Sequence, residues 1–171
     1  MPVIVRIARW RVPLGFLFGV AAVMLSRPSP RSLALGALVG VCGEAVRIWA
    51  AGHLEKGREV TRSGPYRWTR HPLYAGSSIM GVGLAIASRS LIVALLVIAY
   101  LAVTTAAAIR TEEAHLIEKF GSEYGAYREG TAAPVVRHFS LARAIRNREY
   151  RAALGFALVF TILALRSRGV L

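Results

Sequence analysis

Acidic residues and cysteine are scarce in this 171-residue sequence. It contains no aspartate, only nine glutamates against 22 lysines and arginines, and a single cysteine, Cys42. One cysteine excludes an intramolecular disulfide and any metal site built from several thiolates. The net charge of +13 is typical of a protein that binds nucleic acid or an anionic lipid surface.

Long apolar segments decide between these two partners. The sequence is 55% hydrophobic, its mean hydropathy is +0.49, and a nucleic-acid-binding protein has no need of apolar runs near the ~20 residues that cross a bilayer. We therefore expect one all-α integral membrane domain over residues 1–171, a polytopic bundle of about five transmembrane helices, with no nucleic-acid partner. Cys42 lies in the second apolar segment and is expected to be a small buried residue. The segments are 12–25, 33–51, 73–87, 91–109 and 152–165.

The distribution of lysine and arginine predicts the orientation. Segments 1–11, 53–72 and 110–151 carry 16 basic residues, whereas 26–32, 88–90 and 166–171 carry five. By the positive-inside rule the first set is cytoplasmic, where anionic lipid is an expected partner. No cleavage site for a signal peptide is visible, so the first apolar segment is expected to be retained. The Arg- and Ala-rich composition favours a bacterial inner membrane.

The segment 63–76, Ser-Gly-Pro-Tyr-Arg-Trp-Thr-Arg-His-Pro-Leu-Tyr-Ala-Gly, is too specialised for a simple connector. Proline fixes its own φ and moves the preceding residue toward extended geometry. We therefore expect His71 to be held in a non-helical conformation at the start of the next helix. This pattern indicates a site.

A second polar segment, 110–127, follows the hairpin formed by the third and fourth apolar segments. Leu116 and Phe120 are spaced for one helical face, and Gly121 is expected to end the helix. Glu112 and Glu113 would then lie one turn beyond the membrane edge. Taken alone, they also suit a solvated helix end with local ion pairs.

Together the two segments resemble the isoprenylcysteine carboxyl methyltransferase and phospholipid methyltransferase family of membrane enzymes. The resemblance extends over about residues 53–135. It depends on both blocks in this order: Gly64-Pro65-Tyr66-Arg67, then Arg70-His71-Pro72-Leu73-Tyr74-Ala75-Gly76, and later Glu112-Glu113 with Leu116, Phe120-Gly121, Tyr124 and Tyr127.

The resemblance implies S-adenosylmethionine as cofactor, bound where the two cytoplasmic segments meet, and a lipophilic methyl acceptor that arrives from the bilayer. A carboxylate suits the ammonium of that cofactor, and aromatic rings suit its adenine and sulfonium. The family has a polar or histidine residue where this chain has Arg58, which puts the neighbouring contacts in question. The implied cofactor-binding residues are Val60, Thr61, Tyr66, His71, Pro72, Tyr74 and Glu112.

The acceptor determines the catalytic residues. A carboxylate, such as that of an isoprenylcysteine, is already nucleophilic, and Arg110 suits it because a guanidinium matches carboxylate geometry. A phospholipid amine would need a proton removed, for which Glu113 or His71 is a candidate. A carboxylate is the preferred acceptor. The alternatives are a phospholipid amine, a non-catalytic membrane scaffold of the same fold, and a reductase, which the short chain disfavours.

Two further features lie outside the resemblance. Glu44 and Arg47 are three residues apart in the second apolar segment and are expected to neutralise one another on one helical face. The arginine-rich stretch 137–151 is expected to lie as an amphipathic segment on the inner membrane surface. It and the last apolar segment look like an addition to a core that could end near Pro134. No metal-ligand spacing occurs.

Overall fold

The computed structural model describes residue 15 and residues 17–170. Helix α1 occupies 17–25 and is followed by α2 (Pro30–His53), a 3₁₀ turn (Gly64–Arg67), α3 (Pro72–Ser88), α4 (Leu91–Glu129), α5 (Leu141–Arg146) and α6 (Tyr150–Ser167). No strand occurs among these residues. The expected all-α class is confirmed.

Three of the described helices are long and apolar enough to cross a membrane, namely Pro30–His53, Leu91–Glu129 and Tyr150–Ser167. Helix α3 is apolar but has only 17 residues. The start of the first apolar segment, 12–25, and the retained N-terminus fall largely outside the described residues. The count of five spans and the cytoplasmic location of the loops therefore stay predictions.

Helix α2 begins at a complete capping box. The Ser29 hydroxyl accepts from the Ser32 backbone N–H, the Ser32 hydroxyl accepts from the Ser29 N–H, and Pro30 occupies the first turn. These residues satisfy N–H groups that would otherwise be left without partners at a helix start, and proline lacks the donor altogether. The helix therefore starts three residues before the predicted apolar segment.

Glycines allow α2 and α3 to pack backbone against backbone. A Cβ atom at Gly83 would lie 2.6 Å from the Gly36 carbonyl oxygen, and one at Gly43 would lie 2.7 Å from the Gly76 carbonyl oxygen. Small residues take this role in membranes because close backbone approach supplies the attraction that the hydrophobic effect supplies in water. Cys42, next to this interface, is exposed, so the expectation that it is buried is wrong.

The predicted tight hairpin between α3 and α4 is confirmed. Arg89 adopts a left-handed conformation (φ 49°, ψ 33°), and the Ser90 hydroxyl accepts from the Val93 N–H to cap α4. Helix α4 then continues through the second polar segment to Glu129, with a break at Gly121 (φ 45°, ψ −117°). The helix is interrupted at Gly121, as expected, and a second helical stretch follows beyond the kink to Glu129.

The C-terminal part of the chain packs on α2. A Cβ at Gly40 would lie 2.3 Å from the Phe156 ring of α6, and one at Gly52 would lie 2.2 Å from the Phe139 ring. The side-chain amide of Asn147 donates to the carbonyl oxygens of Ala51 (2.9 Å) and Leu54 (2.8 Å). The C-terminal part of the chain therefore packs directly on α2.

Candidate active site

The segment between α2 and α3, residues 54–71, is here called the His-Pro loop. Its Gly-Pro turn rests on the ring of His53 at the end of α2. Gly64 has a φ of +57°, and a Cβ atom there would lie 2.5 Å from that ring. Both the positive φ and the lack of space therefore require glycine. Ser63 is fully buried, with its hydroxyl 3.2 Å from His53 Nδ1. The loop therefore has a fixed base.

Arginines from the C-terminal segment, residues 137–149, hold the outer side of this loop. Arg137 forms a bidentate ion pair with Glu59, and Arg143 Nε donates to Glu55 Oε1 over 2.7 Å. The hydrogen bond from Arg143 lowers the pKa of the Glu55 carboxyl. These two arginines, expected on the membrane surface as part of an amphipathic stretch, are instead paired with the loop.

His71 is the N-cap residue of α3, with φ −131° and ψ 54°, and Pro72 is the first residue of the helix. The backbone N–H groups of Tyr74 and Ala75 both lie 3.1 Å from the His71 carbonyl oxygen and donate to it. The predicted non-helical presentation of the imidazole at the start of α3 is confirmed. The centre of the Tyr74 ring is 6.0 Å from that of His71.

The His-Pro loop and α4 meet at Glu113. Its Oε1 atom lies 2.9 Å from His71 Nε2 and 3.1 Å from an Nη1 of Arg70. Glu113 lies in the polar part of α4, beyond the apolar segment 91–109. The hydrogen bond to His71 is the main cause that lowers the pKa of its carboxyl group. Two sites that sequence analysis selected 42 residues apart are thus joined by direct contact.

A second link joins the loop to α4 about four turns further on. The Tyr127 hydroxyl donates to the Tyr66 carbonyl oxygen over 2.7 Å, and the Tyr66 side chain is buried. Burial raises the pKa of the Tyr66 phenol, and the carboxylates of Glu112 and Glu149 raise it further. The hydrogen bond from Tyr127 thus joins Tyr66 of the loop to the last part of α4.

The remaining predicted residues divide into two groups. Glu112 and Arg110 are exposed and make no hydrogen bond or ion pair with the residues that the structure describes. Val60 and Thr61 are buried inside the loop, where the Thr61 hydroxyl accepts from the Glu55 N–H over 3.1 Å. The first pair is free to meet a ligand, whereas the Thr61 side chain already stabilises the loop.

Sequence analysis missed Glu149, the main partner of Arg47. Arg47 Nε lies 2.6 Å from Glu149 Oε1 but 3.9 Å from Glu44 Oε2. The Arg47 guanidinium also donates to the Leu73 carbonyl oxygen at the start of α3 (3.2 Å) and to the Ser77 hydroxyl. An arginine within an apolar helix signals that a partner is needed, but nothing in the sequence selects one 102 residues away.

The arrangement suits a ligand that is cationic at one end and aromatic at another. Glu112 supplies a carboxylate with no partner among the described residues. Tyr74 supplies an aromatic ring 6.0 Å from that of His71, and the ring of Tyr66 lies buried in the same loop. S-adenosylmethionine has this chemistry. Among the described residues, no three His, Cys or Glu side chains are grouped so that they could hold a metal ion.

Comparison with known proteins gives a family match for the central part of the chain. Residues 43–123 match the model of the phospholipid methyltransferase family. No solved structure matches this chain significantly.

Two curated relatives carry names that refer to metal resistance. The chain is 33% identical over 135 residues to the cobalt-zinc-cadmium resistance protein CzcN of Cupriavidus metallidurans, covering 75% of this chain and 62% of the relative. It is 31% identical over 103 residues to the nickel-cobalt-cadmium resistance protein NccN of Alcaligenes xylosoxydans xylosoxydans, covering 59% and 48%. The chain thus spans about half to three-fifths of the relatives' length. The family resemblance drawn from the two polar segments is thus confirmed over residues 43–123, which match the phospholipid methyltransferase family.

Proposed function

We propose that this protein transfers a methyl group from S-adenosylmethionine to a lipophilic acceptor at the membrane surface. The observation that carries the proposal is the contact between the His-Pro loop and α4, where His71 Nε2 lies 2.9 Å from Glu113 Oε1. This contact brings the aromatic and acidic residues of both blocks into one neighbourhood. The family match over residues 43–123 supports the same reaction class.

In this proposal, Tyr66, His71 and Tyr74 contact the cofactor, with Pro72 fixing the turn, and Glu112 binds its ammonium group. Val60 and Thr61 line the cofactor site from within the loop. The bound cofactor supplies an electrophilic methyl group on a sulfonium. The protein's own contribution is alignment of the acceptor and exclusion of water, which are the main requirements of an in-line displacement.

Tryptophan rings support access from the bilayer. Trp68, in the His-Pro loop, is 75% exposed, and its ring centre lies 5.4 Å from that of Trp49 on α2. Indole rings favour the headgroup region of a membrane. The loop therefore suits an acceptor whose apolar part stays in the lipid while its polar end reaches the site.

The preferred acceptor is a carboxylate of the isoprenylcysteine type, held by Arg110. This guanidinium is exposed, has no partner among the described residues and lies one helical turn before Glu113. A carboxylate needs no base. The contact between His71 and Glu113 is the observation that supports the alternative acceptor, a phospholipid amine. A carboxylate that orients an imidazole is the usual arrangement for removing a proton.

Cofactor binding is tested by calorimetry on the purified full chain in detergent. His71→Ala and Tyr74→Ala are each expected to weaken S-adenosylmethionine binding by about 1–3 kcal/mol, the usual cost of removing a partner from a buried polar contact. His115→Ala, an exposed histidine on α4, is the matched control and should bind as wild type does. Wild-type affinity in both site variants would refute the cofactor assignment, and no binding by the wild type would favour a non-catalytic scaffold.

The roles of Glu112 and Arg110 are separated by paired measurements of binding and turnover. Glu112→Gln should raise the dissociation constant for S-adenosylmethionine, whereas Arg110→Ala should leave it nearly unchanged and abolish methyl transfer. The reason is that a carboxylate prefers an ammonium and a guanidinium prefers a carboxylate. The opposite pattern would reverse the two roles. No effect from either change would mean that these residues form only a solvated helix end.

The acceptor class is tested by incorporation of radiolabelled methyl groups into a lipid extract. Base-labile label indicates a methyl ester and hence a carboxylate acceptor, whereas base-stable label in the phospholipid fraction indicates an amine. The pH dependence gives an independent test. Methylation of a carboxylate should be nearly independent of pH above neutrality, whereas methylation of an amine should accelerate with pH because its ammonium form must lose a proton.

A further inference from the structure

The end of the bundle opposite to the His-Pro loop contains a cavity of about 510 Å³ lined by three arginines. Arg27 follows α1, Arg89 lies in the turn between α3 and α4, and Arg166 lies at the end of α6. The rest of its lining is mostly apolar and includes Met24, Leu25, Leu91 and Ile92. Three positive charges and an apolar wall thus face one space.

The cavity is built by contacts between the three chain segments that contribute its arginines. The Arg27 backbone N–H donates to the Ser88 carbonyl oxygen over 2.8 Å. Arg166 donates to the carbonyl oxygens of Ser26 and Met24, both over 3.1 Å. Arg89 has a positive φ of 49°, a conformation that is unfavourable for a residue with a Cβ atom. These contacts join the backbone of Arg27 to the turn that contains Arg89, and the side chain of Arg166 to the end of α1.

The chain has no acidic residue at this end that could neutralise them. Residues 1–43, 60–111 and 150–171 contain no Asp or Glu, and every ion pair of the described residues involves a glutamate at the opposite end. Arg27 and Arg89 have no ion-pair partner among the described residues. An anion that neutralised them would therefore come from outside the described residues, and arginine is the side chain best suited to bind phosphate.

We infer that this cavity binds the phosphate group of an anionic phospholipid, in the leaflet opposite to the candidate active site. Arg27 and Arg89 contact the phosphate, Arg166 adds positive charge while it holds the end of α1, and the acyl chains lie along Leu91 and Ile92. The exposed apolar side chains of Leu91 (76%) and Ile92 (58%) give the cavity an apolar edge that a soluble phosphate would not need. This inference is independent of the proposed methyl transfer.

The test is native mass spectrometry of the full chain in detergent, titrated with phosphatidylglycerol or with the zwitterionic phosphatidylcholine. The wild type is expected to retain phosphatidylglycerol preferentially. The variant Arg27→Gln/Arg89→Gln should bind it at least about fivefold more weakly, from the ~1 kcal/mol that one basic residue contributes near an anionic membrane surface. The control is Arg31→Gln/Arg168→Gln, which removes two charges from the same end but outside the cavity lining. It should stay within about twofold of wild type.

Three outcomes would overturn the inference. Equal weakening in the site and control variants would mean that only diffuse positive charge attracts lipid. No preference of the wild type for phosphatidylglycerol would exclude an anion site without reference to any variant. Equally tight binding of soluble glycerol phosphate would show that the cavity takes a free phosphate and not a lipid. Because the wild-type arms need no mutation, poor folding of a variant leaves the test decisive.

Discussion

Replacing Arg47 by methionine removes the charge at the centre of a buried cluster. The guanidinium contacts Glu149 over 2.6 Å, the Leu73 carbonyl oxygen over 3.2 Å and the Ser77 hydroxyl, and its side chain is 19% exposed. The two carboxylates beside it, those of Glu149 and Glu44, are each 7% exposed as whole residues. Methionine keeps most of the apolar volume but leaves both carboxylates without a cation.

Removing one member of a buried ion pair costs about 3–5 kcal/mol, because the remaining charge stays desolvated without compensation. We expect Arg47→Met to lower the free energy of unfolding by this amount. Adding Glu149→Gln should recover at least about 1 kcal/mol, since contacting residues are coupled by 0.5–3 kcal/mol. The matched control is Arg146→Met: its 57% exposed side chain lies 3.4 Å from Glu55, and its loss should cost less than about 1 kcal/mol.

The measurement is reversible unfolding in mixed micelles, followed by circular dichroism, for the wild type, the single variants Arg47→Met, Glu149→Gln and Arg146→Met, and the double variant Arg47→Met/Glu149→Gln. The reasoning is refuted if Arg47→Met costs no more than Arg146→Met, which would mean that the cluster is hydrated and its charges need no partner. It is also refuted if the double variant is as unstable as the sum of its two single changes, because Arg47 and Glu149 would then be energetically independent.

Three further predictions test other parts of the molecule. The folded pKa of Glu113 is below its ordinary value of 4.5. The ionised carboxylate therefore contributes about 1 kcal/mol to the free energy of unfolding above pH 4.5, and this contribution is lost as the pH falls through the folded pKa. Glu113→Gln should be less stable than wild type at pH 6, and thermal melts should show the difference in stability disappearing in acid. Gly83→Ala should lower the free energy of unfolding by about 1–3 kcal/mol, because the added methyl group overlaps the α2 backbone. The control Gly155→Ala has open space around it and should be neutral or stabilising. Equal melting temperatures of the two variants would contradict the close packing of α2 and α3. In a Cys42→Ala background, Thr69→Cys should react with an impermeant thiol reagent only after cells are opened, and reaction in intact cells would reverse the predicted orientation.

The features that sequence analysis predicted correctly are local. The conformation of His71 follows from the proline after it, and the tight hairpin follows from three polar residues between two apolar segments. The interruption at Gly121 also follows from the residue, because its backbone (φ 45°, ψ −117°) has a positive φ that glycine adopts readily. The sequence did not show that a second helical stretch follows to Glu129, where Tyr127 donates a hydrogen bond to the loop.

The features that could not be predicted depend on which face of a helix meets protein. An apolar segment in a membrane has apolar residues on its lipid-facing and protein-facing sides alike, so composition did not show that Cys42 is exposed. The glycines of α2 would have indicated the protein-facing side of this helix, because small residues mark helix contacts in a membrane. The pairing of Arg47 with Glu149 could not be read from the sequence, since several glutamates were equally available.

The pairing between the C-terminal segment and the loop has a consequence for the order of events during synthesis. Arg47, Glu55 and Glu59 find their partners 78 to 102 residues later in the chain. Since a chain leaves the ribosome from its N-terminus, the whole family segment, residues 43–123, emerges before these counter-ions exist. The His-Pro loop therefore reaches its final arrangement only after Arg143 has been made, and a nascent chain arrested near residue 134 should expose this loop to protease.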